Sequence, residues 1–244
     1  MNTTTPRDLE LRPADERGVT RIGWLDSKHS FSFGGYHDPR KMGYHGLRVL
    51  NDDRVAPGMG FDTHPHRDME ILTWVLGGEL AHKDSMGHAS SLGAGGVQLM
   101  SAGTGVTHSE YNGRDDTPVH FLQVWINPTT PGNTPRYQEA VPDPATRDGR
   151  FAALATPGGR EGSLTIGADA EVYVADFVSG QSATLPIPVG RVAYVHVATG
   201  RVTINDQPAA AGDAVTVAGH DAVAVGGVAD GDAPSQVLAF VLPA

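Results

Sequence analysis

The sequence predicts an all-β protein of 244 residues in which two β-barrel lobes follow one another along the chain. Short apolar runs are separated throughout by turn-forming residues, and Gly (31) and Pro (17) are both frequent. No segment shows a sustained apolar repeat of 3.6 residues, so long helices are not expected. Hydrophobic residues make up 39% of the chain and charged residues 19%, which is typical of a globular protein.

The first half of the chain, residues 22–126, carries the denser set of strand-like runs. These runs alternate between apolar and polar residues or are rich in β-branched and aromatic ones. The predicted strands lie at residues 31–33, 46–50, 70–76, 79–83, 97–100 and 119–126, with a turn at 84–87. Strands so short and so regularly separated are typical of an antiparallel barrel or sandwich.

A proline-rich segment, residues 127–149, indicates the passage between the two lobes. Its five Pro residues interrupt any regular strand or helix. We therefore expect a lead-in at residues 1–21 whose polar start is a loosely held tail. A first lobe is expected at residues 22–135 and a second lobe at residues 136–244.

The second half repeats the alternation of strands and turns. AYVHVATGRVTIND, residues 193–206, matches ILTWVLGGELAHKD, residues 71–84, in its order of strand, Gly-bearing turn and strand. This similarity of pattern favours an internal duplication. The predicted strands of this half lie at residues 151–155, 164–166, 171–178, 193–197, 202–204, 214–217 and 237–241.

Charge and composition exclude several classes of function. The formal net charge is -10 and no basic cluster is present to attract phosphates, so direct nucleic-acid binding is not expected. Cys is absent, which excludes disulfides, thiolate nucleophiles and Cys-ligated zinc. No apolar run approaches about 18 residues, and the N-terminus has no apolar leader core. We expect a cytoplasmic protein that does not bind membranes.

Two pairs of polar side chains, each spaced by two residues, predict a metal site. The first pair is His64 and His66, and the second is His108 and Glu110. On a β-strand, residues two apart point to the same face, so each pair can direct both side chains at one ion. Three imidazoles and a carboxylate suit Fe, Mn, Co, Ni, Cu or Zn.

Four longer segments resemble the pirin family of the cupin superfamily, and within it the bacterial pirin-like quercetin 2,3-dioxygenase branch. WLDSKHSFSFGGYHDPRKMGYHGLRVLNDDRV is similar to the N-terminal signature of that branch. THPHRDMEILTWVLGGELAHKDSMG resembles the first metal motif and QLMSAGTGVTHSEYN the second, while FLQVWINPTTPGNTPRYQE resembles the strand and crossover that follow. The resemblance is strong over residues 22–139.

The resemblance implies a bicupin, with two jelly-roll β-barrel lobes in one chain. Only the first lobe would hold metal, through His64, His66, His108 and Glu110. The second lobe would be a degenerate cupin without metal, and its His196 and His220 have no paired spacing. One divalent transition metal is expected, with Fe(II) in first place.

The resemblance also implies an activity, the cleavage of a flavonol ring of quercetin type with O2, in which Glu110 accepts the proton of the substrate hydroxyl. The alternative is a metal-dependent regulatory protein that contacts a transcription factor or an enzyme. Both hypotheses fit an acidic surface, and turnover of a flavonol would separate them. A monomer is expected, because a two-lobed chain can cover its own sheet edges.

The sequence also predicts where several further side chains lie. Glu70 is expected beside the metal site, hydrogen-bonded to an imidazole. Trp74 and Trp125 are expected in the core. Three further histidines are expected on hairpin or strand surfaces: His82, His88 and His120.

Overall fold

The computed structural model describes residues 8–229, 231 and 233–244, and the predicted all-β class is confirmed. Its strands are β1 (Asp8–Arg12), β2 (Gly18–Ile22), β3 (Leu25–His29), β4 (Leu47–Val55), β5 (Gly60–His66), β6 (Glu70–Gly77), β7 (Glu79–Asp84), β8 (Ala89–Gly93), β9 (Val97–Ser101), β10 (Val106–Asn112), β11 (Val119–Ile126), β12 (Arg136–Ala140), β13 (Ala152–Thr156), β14 (Leu164–Thr165), β15 (Glu171–Phe177), β16 (Ser182–Pro186), β17 (Arg191–Thr199), β18 (Arg201–Ile204), β19 (Gln207–Ala210), β20 (Ala214–Ala218), β21 (Ala222–Gly227) and β22 (Ser235–Pro243). Short 3-10 helices lie at Ala14–Glu16, Pro144–Thr146 and Arg160–Gly162. Within the described part of the chain, no helix has the length and apolar character needed to cross a membrane.

The chain divides into two compact units. The first lobe consists of Arg17–Pro142 and Ile166–Asp169. The second lobe consists of Asp143–Thr165, Ala170–Ala244 and the described residues of Met1–Glu16.

Two antiparallel sheets build the first lobe. A seven-stranded sheet has the order β12-β9-β6-β11-β4-β3-β2, and a four-stranded sheet has the order β5-β10-β7-β8. Val75 and Phe121 from the large sheet pack with Leu80 and Leu92 from the small one, and all four side chains are buried. Their apolar contact closes the two sheets around a common interior.

The second lobe repeats this strand order, except that its edge strand β14 pairs with β13 in parallel. Its large sheet has the order β1-β20-β17-β22-β15-β13-β14 and its small sheet the order β16-β21-β18-β19. The strand pair β17–β18 therefore stands where β6–β7 stands in the first lobe, as the internal duplication predicts. In the small sheet, β16 and β21 take the places of β5 and β10, and the buried Leu185, Val223 and Val225 on them join the apolar core.

The N-terminal lead-in contains a strand that the sequence did not predict. Residues 8–12 form β1, which pairs with β20 of the second lobe in antiparallel register. Leu9 and Leu11 alternate along this strand and pack against the core of that lobe. The period-2 pattern is short and flanked by charges, which hid the strand in the sequence. Residues 1–7 lie outside the described part of the chain.

Most predicted strands are confirmed to within two residues at either end, but one is wrong. Residues 31–33 form an irregular loop in which Ser32 Oγ accepts a hydrogen bond from the amide of Asp38 and donates one to its carbonyl oxygen. The alternation of Phe and Ser there reflects local side-chain bonding that competes with a sheet ladder. The sequence also did not predict β2, β3, β8 and β12 of the first lobe or β16, β19 and β21 of the second. The last three are rich in Ala, Gly or Pro, which have low β-propensity.

Candidate metal centre

Three histidines converge at the paired strands β5 and β10. The antiparallel register places His108 directly opposite His64, and Val106 opposite His66. The ring centroids of the three imidazoles lie 4.6 to 4.8 Å apart. One ligand atom from each ring lies within 4.8 Å of the other two, so the predicted meeting of these imidazoles is present in the structure.

Glu110 is buried, as His108 is, whereas His64 and His66 are partly exposed. The register of β10 against β5 shifts between His108 and Glu110, so a β-bulge separates the two side chains. The buried Glu110 carboxylate accepts hydrogen bonds from Gln98 Nε2 at 2.7 Å and from Gln123 Nε2 at 2.6 Å. A carboxylate oxygen of Glu110 lies within 4.8 Å of ligand atoms of His82 and His108. We call the other set, His64, His66 and His108, the outer group.

The protonation of the imidazoles suits a cation. His64 Nδ1 lies 2.7 Å from the carbonyl oxygen of Asp62, to which it donates, so its Nε2 carries the lone pair. Burial, together with the neighbouring imidazoles His108 and His64, lowers the pKa of His66 to about 4. Burial and the neighbouring His64 and His82 lower the pKa of His108 to about 3. Both rings are therefore neutral at pH 7, with lone pairs free for a metal.

The geometry of the facing nitrogens also fits a metal. The Nε2 atoms of His64 and His108 approach to 3.1 Å, and Nδ1 of His108 is buried without a hydrogen-bond partner among the described residues. An ion between the rings would bind both Nε2 atoms, which face each other. The donor set of imidazoles and one carboxylate therefore fits a divalent transition metal.

A cavity of about 620 Å³, including its open mouth, leads to this group within the first lobe. His64, His66 and Glu110 lie along one part of its wall, and Phe61 lies along another. The remaining lining residues are Thr20, Leu25, Ser27, His29, Phe33, Gly34, Gly35, Asn51, Asp53, Gln123 and Trp125. Apolar walls with a few polar groups suit an aromatic ligand.

Trp125 belongs to this cavity, which corrects its predicted place in the core. Its side chain is half-buried, and its ring stands edge-on to His66, with centroids 4.9 Å apart. A second edge contact joins it to Phe33 at 5.4 Å. Trp74, in contrast, is fully buried, as predicted.

His82 also corrects the sequence prediction, since it lies in the interior and not on a hairpin surface. It is 3% exposed and stands opposite Glu110 in the register of β7 against β10. Leu80, His82 and Asp84 alternate inward along β7, so the period of two marked the facing of His82. The strand changes from apolar to polar residues along its length, and this change hid the inward facing of His82 in the sequence.

Of the other side chains with a predicted place, His88 agrees with the prediction, and His120 and Glu70 differ from it. His88 has a side chain that is 44% exposed, as expected, whereas His120 is half-buried and its Nε2 lies 2.7 Å from Asp52 Oδ1. Glu70 is buried, but its carboxylate accepts hydrogen bonds from Ser101 Oγ and the amide of Gly167, so the predicted bond to an imidazole is wrong.

Comparison with known proteins shows that the chain is similar to pirins and to quercetin 2,3-dioxygenases. A family model described as Pirin matches residues 11–126, and a model described as Quercetinase C-terminal cupin domain matches residues 153–242. Quercetin 2,3-dioxygenase of Escherichia coli strain K12 is 43% identical over 235 residues, which is 96% of this chain and 99% of the relative. A pirin-like protein of Caulobacter vibrioides is 39% identical over 198 residues, 81% of this chain and 85% of the relative.

The solved structures agree with the sequence comparison. The crystal structure of the bacterial pirin YhhW from Escherichia coli in complex with nickel(II) has a TM-score of 0.90 and 41% sequence identity. The match covers 97% of this chain and 99% of that one. The two-lobed cupin architecture predicted from the motifs is therefore confirmed, and a close structural relative binds a divalent metal.

Proposed function

The chain belongs to the pirin family and is an enzyme similar to quercetin 2,3-dioxygenase, and from this premise we propose that it cleaves the ring of a flavonol of quercetin type with O2. One observation carries the proposal. His64, His66 and the buried Glu110 border a cavity whose walls include Phe33, Phe61 and Trp125, and His108 groups with His64 and His66. A flat polyphenol can lie between such aromatic walls and direct its hydroxyl groups at the imidazoles.

We assign the metal ligands to the first lobe. His64, His66 and His108 would supply nitrogen donors to the ion, and Glu110 would supply an oxygen donor. The second lobe supplies none, since its equivalent strands β16 and β21 carry buried apolar side chains in this register. Fe(II) is the first candidate for the ion.

The ion would supply Lewis-acid and redox chemistry to the substrate and O2 when bound. The side chains of the protein do the remaining work. Phe33 and Trp125, in edge contact with each other, hold the flavonol rings in one orientation. Trp125 also fixes the plane of the His66 ring through its edge contact. The apolar wall excludes water from the hydroxyl that reacts.

Glu110 is the proton acceptor of the proposed reaction. The O–H bond of the flavonol 3-hydroxyl breaks, its electron pair stays on the substrate oxygen, and the proton moves to a carboxylate oxygen of Glu110. Burial raises the pKa of Glu110, against the opposing effects of His82, His64 and Gln123, so its carboxylate takes up a proton more readily than an exposed one. Gln98 and Gln123 keep the carboxylate in place during the transfer.

A turnover assay tests the proposal. Metal-free protein is loaded without air with Fe(II), Ni, Co, Mn, Cu or Zn in parallel, then mixed with quercetin in air-saturated buffer. We expect at least one loaded form to bleach the flavonol absorption with matching O2 uptake and release of carbon monoxide. If every form binds its metal and none turns over, the dioxygenase proposal fails and the regulatory alternative, with a co-purifying protein partner, takes its place.

A further inference from the structure

The cavity beside the metal centre has a second polar wall, formed by β3 and β4. Four buried polar side chains of these strands line the cavity: Ser27 and His29 on β3, and Asn51 and Asp53 on β4. The antiparallel register sets Ser27 opposite Asp53 and His29 opposite Asn51. Because residues two apart on a strand share a face, the two pairs form successive rows of one wall.

The row of Asn51 leads to the metal centre. Asn51 stands opposite Gln123 of β11, and Gln123 Nε2 donates to the Glu110 carboxylate at 2.6 Å. Asp53 lies two residues further along β4, which is about 7 Å at the usual rise of a strand. The ring system of a flavonol is longer than this distance. A flavonol whose 3-hydroxyl is at the metal centre can therefore bring another hydroxyl to the row of Asp53.

The hydrogen-bonding groups of this wall are largely paired with one another, except at Asp53. His29 Nδ1 donates to Asn51 Oδ1 at 2.8 Å, and Thr20 Oγ1 donates to His29 Nε2 at 2.8 Å. Asp53 is only 3% exposed, and the Ser27 hydroxyl bonds to its carboxyl group. Asp53 Oδ1 is buried and has no hydrogen-bond partner among the described residues. Buried polar atoms are normally paired, so this oxygen can take a donor from a bound ligand.

We propose that Asp53 is a specificity-determining residue, which accepts a hydrogen bond from a hydroxyl group of the polyphenol other than the one at the metal centre. The inference rests on the proposed function, which puts a flavonol in this cavity. The second hydroxyl gives Asp53 Oδ1 the partner that the chain does not supply, and it fixes the orientation of the rings relative to the ion. A ligand without that hydroxyl leaves the carboxyl group buried and unpaired, so it binds more weakly.

The binding of two flavonols tests the proposal without turnover. Zn(II)-loaded protein is titrated without air with quercetin and with 3-hydroxyflavone, whose only hydroxyl is the 3-hydroxyl, and the flavonol absorption gives both dissociation constants. Quercetin should bind about 10- to 100-fold more tightly, the range of one hydrogen bond to a charged group. Asp53→Ala should lose most of this ratio. Equal or weaker binding of quercetin by the wild type would overturn the proposal, whether or not the variant folds.

Asp52→Ala is the matched control. Asp52 is the adjacent buried carboxylate of β4, but it lies outside the cavity lining and pairs with Arg17, Arg54 and His120. It should keep the wild-type ratio of the two dissociation constants. An equal loss in both variants, or an unchanged ratio in Asp53→Ala, would overturn the proposal even if quercetin is turned over. The expected ratios in a protein that turns over no flavonol would support this inference and refute only the dioxygenase proposal.

Discussion

The Nε2 atoms of His64 and His108 lie 3.1 Å apart across the pair of strands β5 and β10. At this distance the two atoms share either a hydrogen or a cation, because two lone pairs facing each other would repel. The antiparallel register creates this relationship, because it sets the two residues directly opposite one another. The facing of these two rings is therefore a property of the backbone.

Replacement of His64 by Ala should remove most of the bound metal and leave the fold intact. His64 is only half-buried, so its loss creates no large cavity in the core. Metal content by mass spectrometry and far-ultraviolet circular dichroism check the two parts of this prediction. His220→Ala, which removes an imidazole from the other lobe, serves as the control. Equal metal content in His64→Ala and wild type would refute the ligand assignment.

Glu110→Gln should lower kcat about 10²- to 10⁴-fold, the range typical of a lost general base. The amide keeps the size of the side chain but cannot take the substrate proton. Rates are normalised to bound metal, so that a loss of metal is not mistaken for a loss of the base.

Glu70→Gln is the matched control for that variant, because Glu70 is a buried carboxylate of the same lobe bonded to Ser101 and Gly167. It should turn over at close to the wild-type rate. If Glu110→Gln is as active as Glu70→Gln, Glu110 is not the base.

Substitution of Gly60 by Ala should destabilise the first lobe by about 1–3 kcal/mol and displace β10. A Cβ atom at Gly60 would overlap the carbonyl oxygen of Glu110 and the Cα of Tyr111. Chemical denaturation and metal content measure the effect. Gly93→Ala, where an added Cβ meets no atom within 4 Å, is the control and should change neither. A stable, fully metal-loaded Gly60→Ala would show that β5 and β10 can move apart freely.

Asp53→Asn should stabilise the metal-free protein above neutral pH. Burial raises the pKa of Asp53 from 3.8 to about 7, with the charges of Asp52 and Glu110 adding to it against the hydrogen bond of Ser27. Because the folded pKa is the higher one, the stability that this group contributes is complete below pH 3.8 and is lost as the pH rises through about 7.

The gain in free energy of unfolding of Asp53→Asn over wild type should therefore grow between pH 4 and pH 8, to at most about 4 kcal/mol. Urea denaturation at several pH values measures it. Asp115→Asn, at an exposed carboxyl, should show no such growth. A difference between Asp53→Asn and wild type that stays constant with pH would mean that Asp53 is charged throughout.

The residues of the candidate metal centre were predictable from the sequence, but their depth in the lobe was not. Pairs spaced by two identify His64, His66, His108 and Glu110, because the strand period is two and needs no knowledge of packing. The bulge after His108 breaks that period, so the depth of Glu110 depends on the pairing of β10 with its neighbours. His82 has no partner two residues away except Asp84, and its inward facing is decided by the sheet that β7 joins.

The strands also differ in whether the local sequence or a distant pairing determines them. Runs of β-branched residues, such as 119–126, predicted strands correctly because they are long and strongly apolar. β16, with the sequence SATLP, forms a strand only because β21 pairs with it. Its local β-propensity is weak, and pairing with β21, which is distant in the sequence, stabilises the strand.

The pairing of β1 with β20 has a consequence for the order in which the protein is made. Asp8–Arg12 leaves the ribosome well before its partner Ala214–Ala218 is synthesised. The first lobe can be finished long before, since its sheets are closed once residue 140 has emerged. During this delay the N-terminal strand has unpaired amide and carbonyl groups, and the nascent chain depends on its flanking charges to keep it from wrong partners.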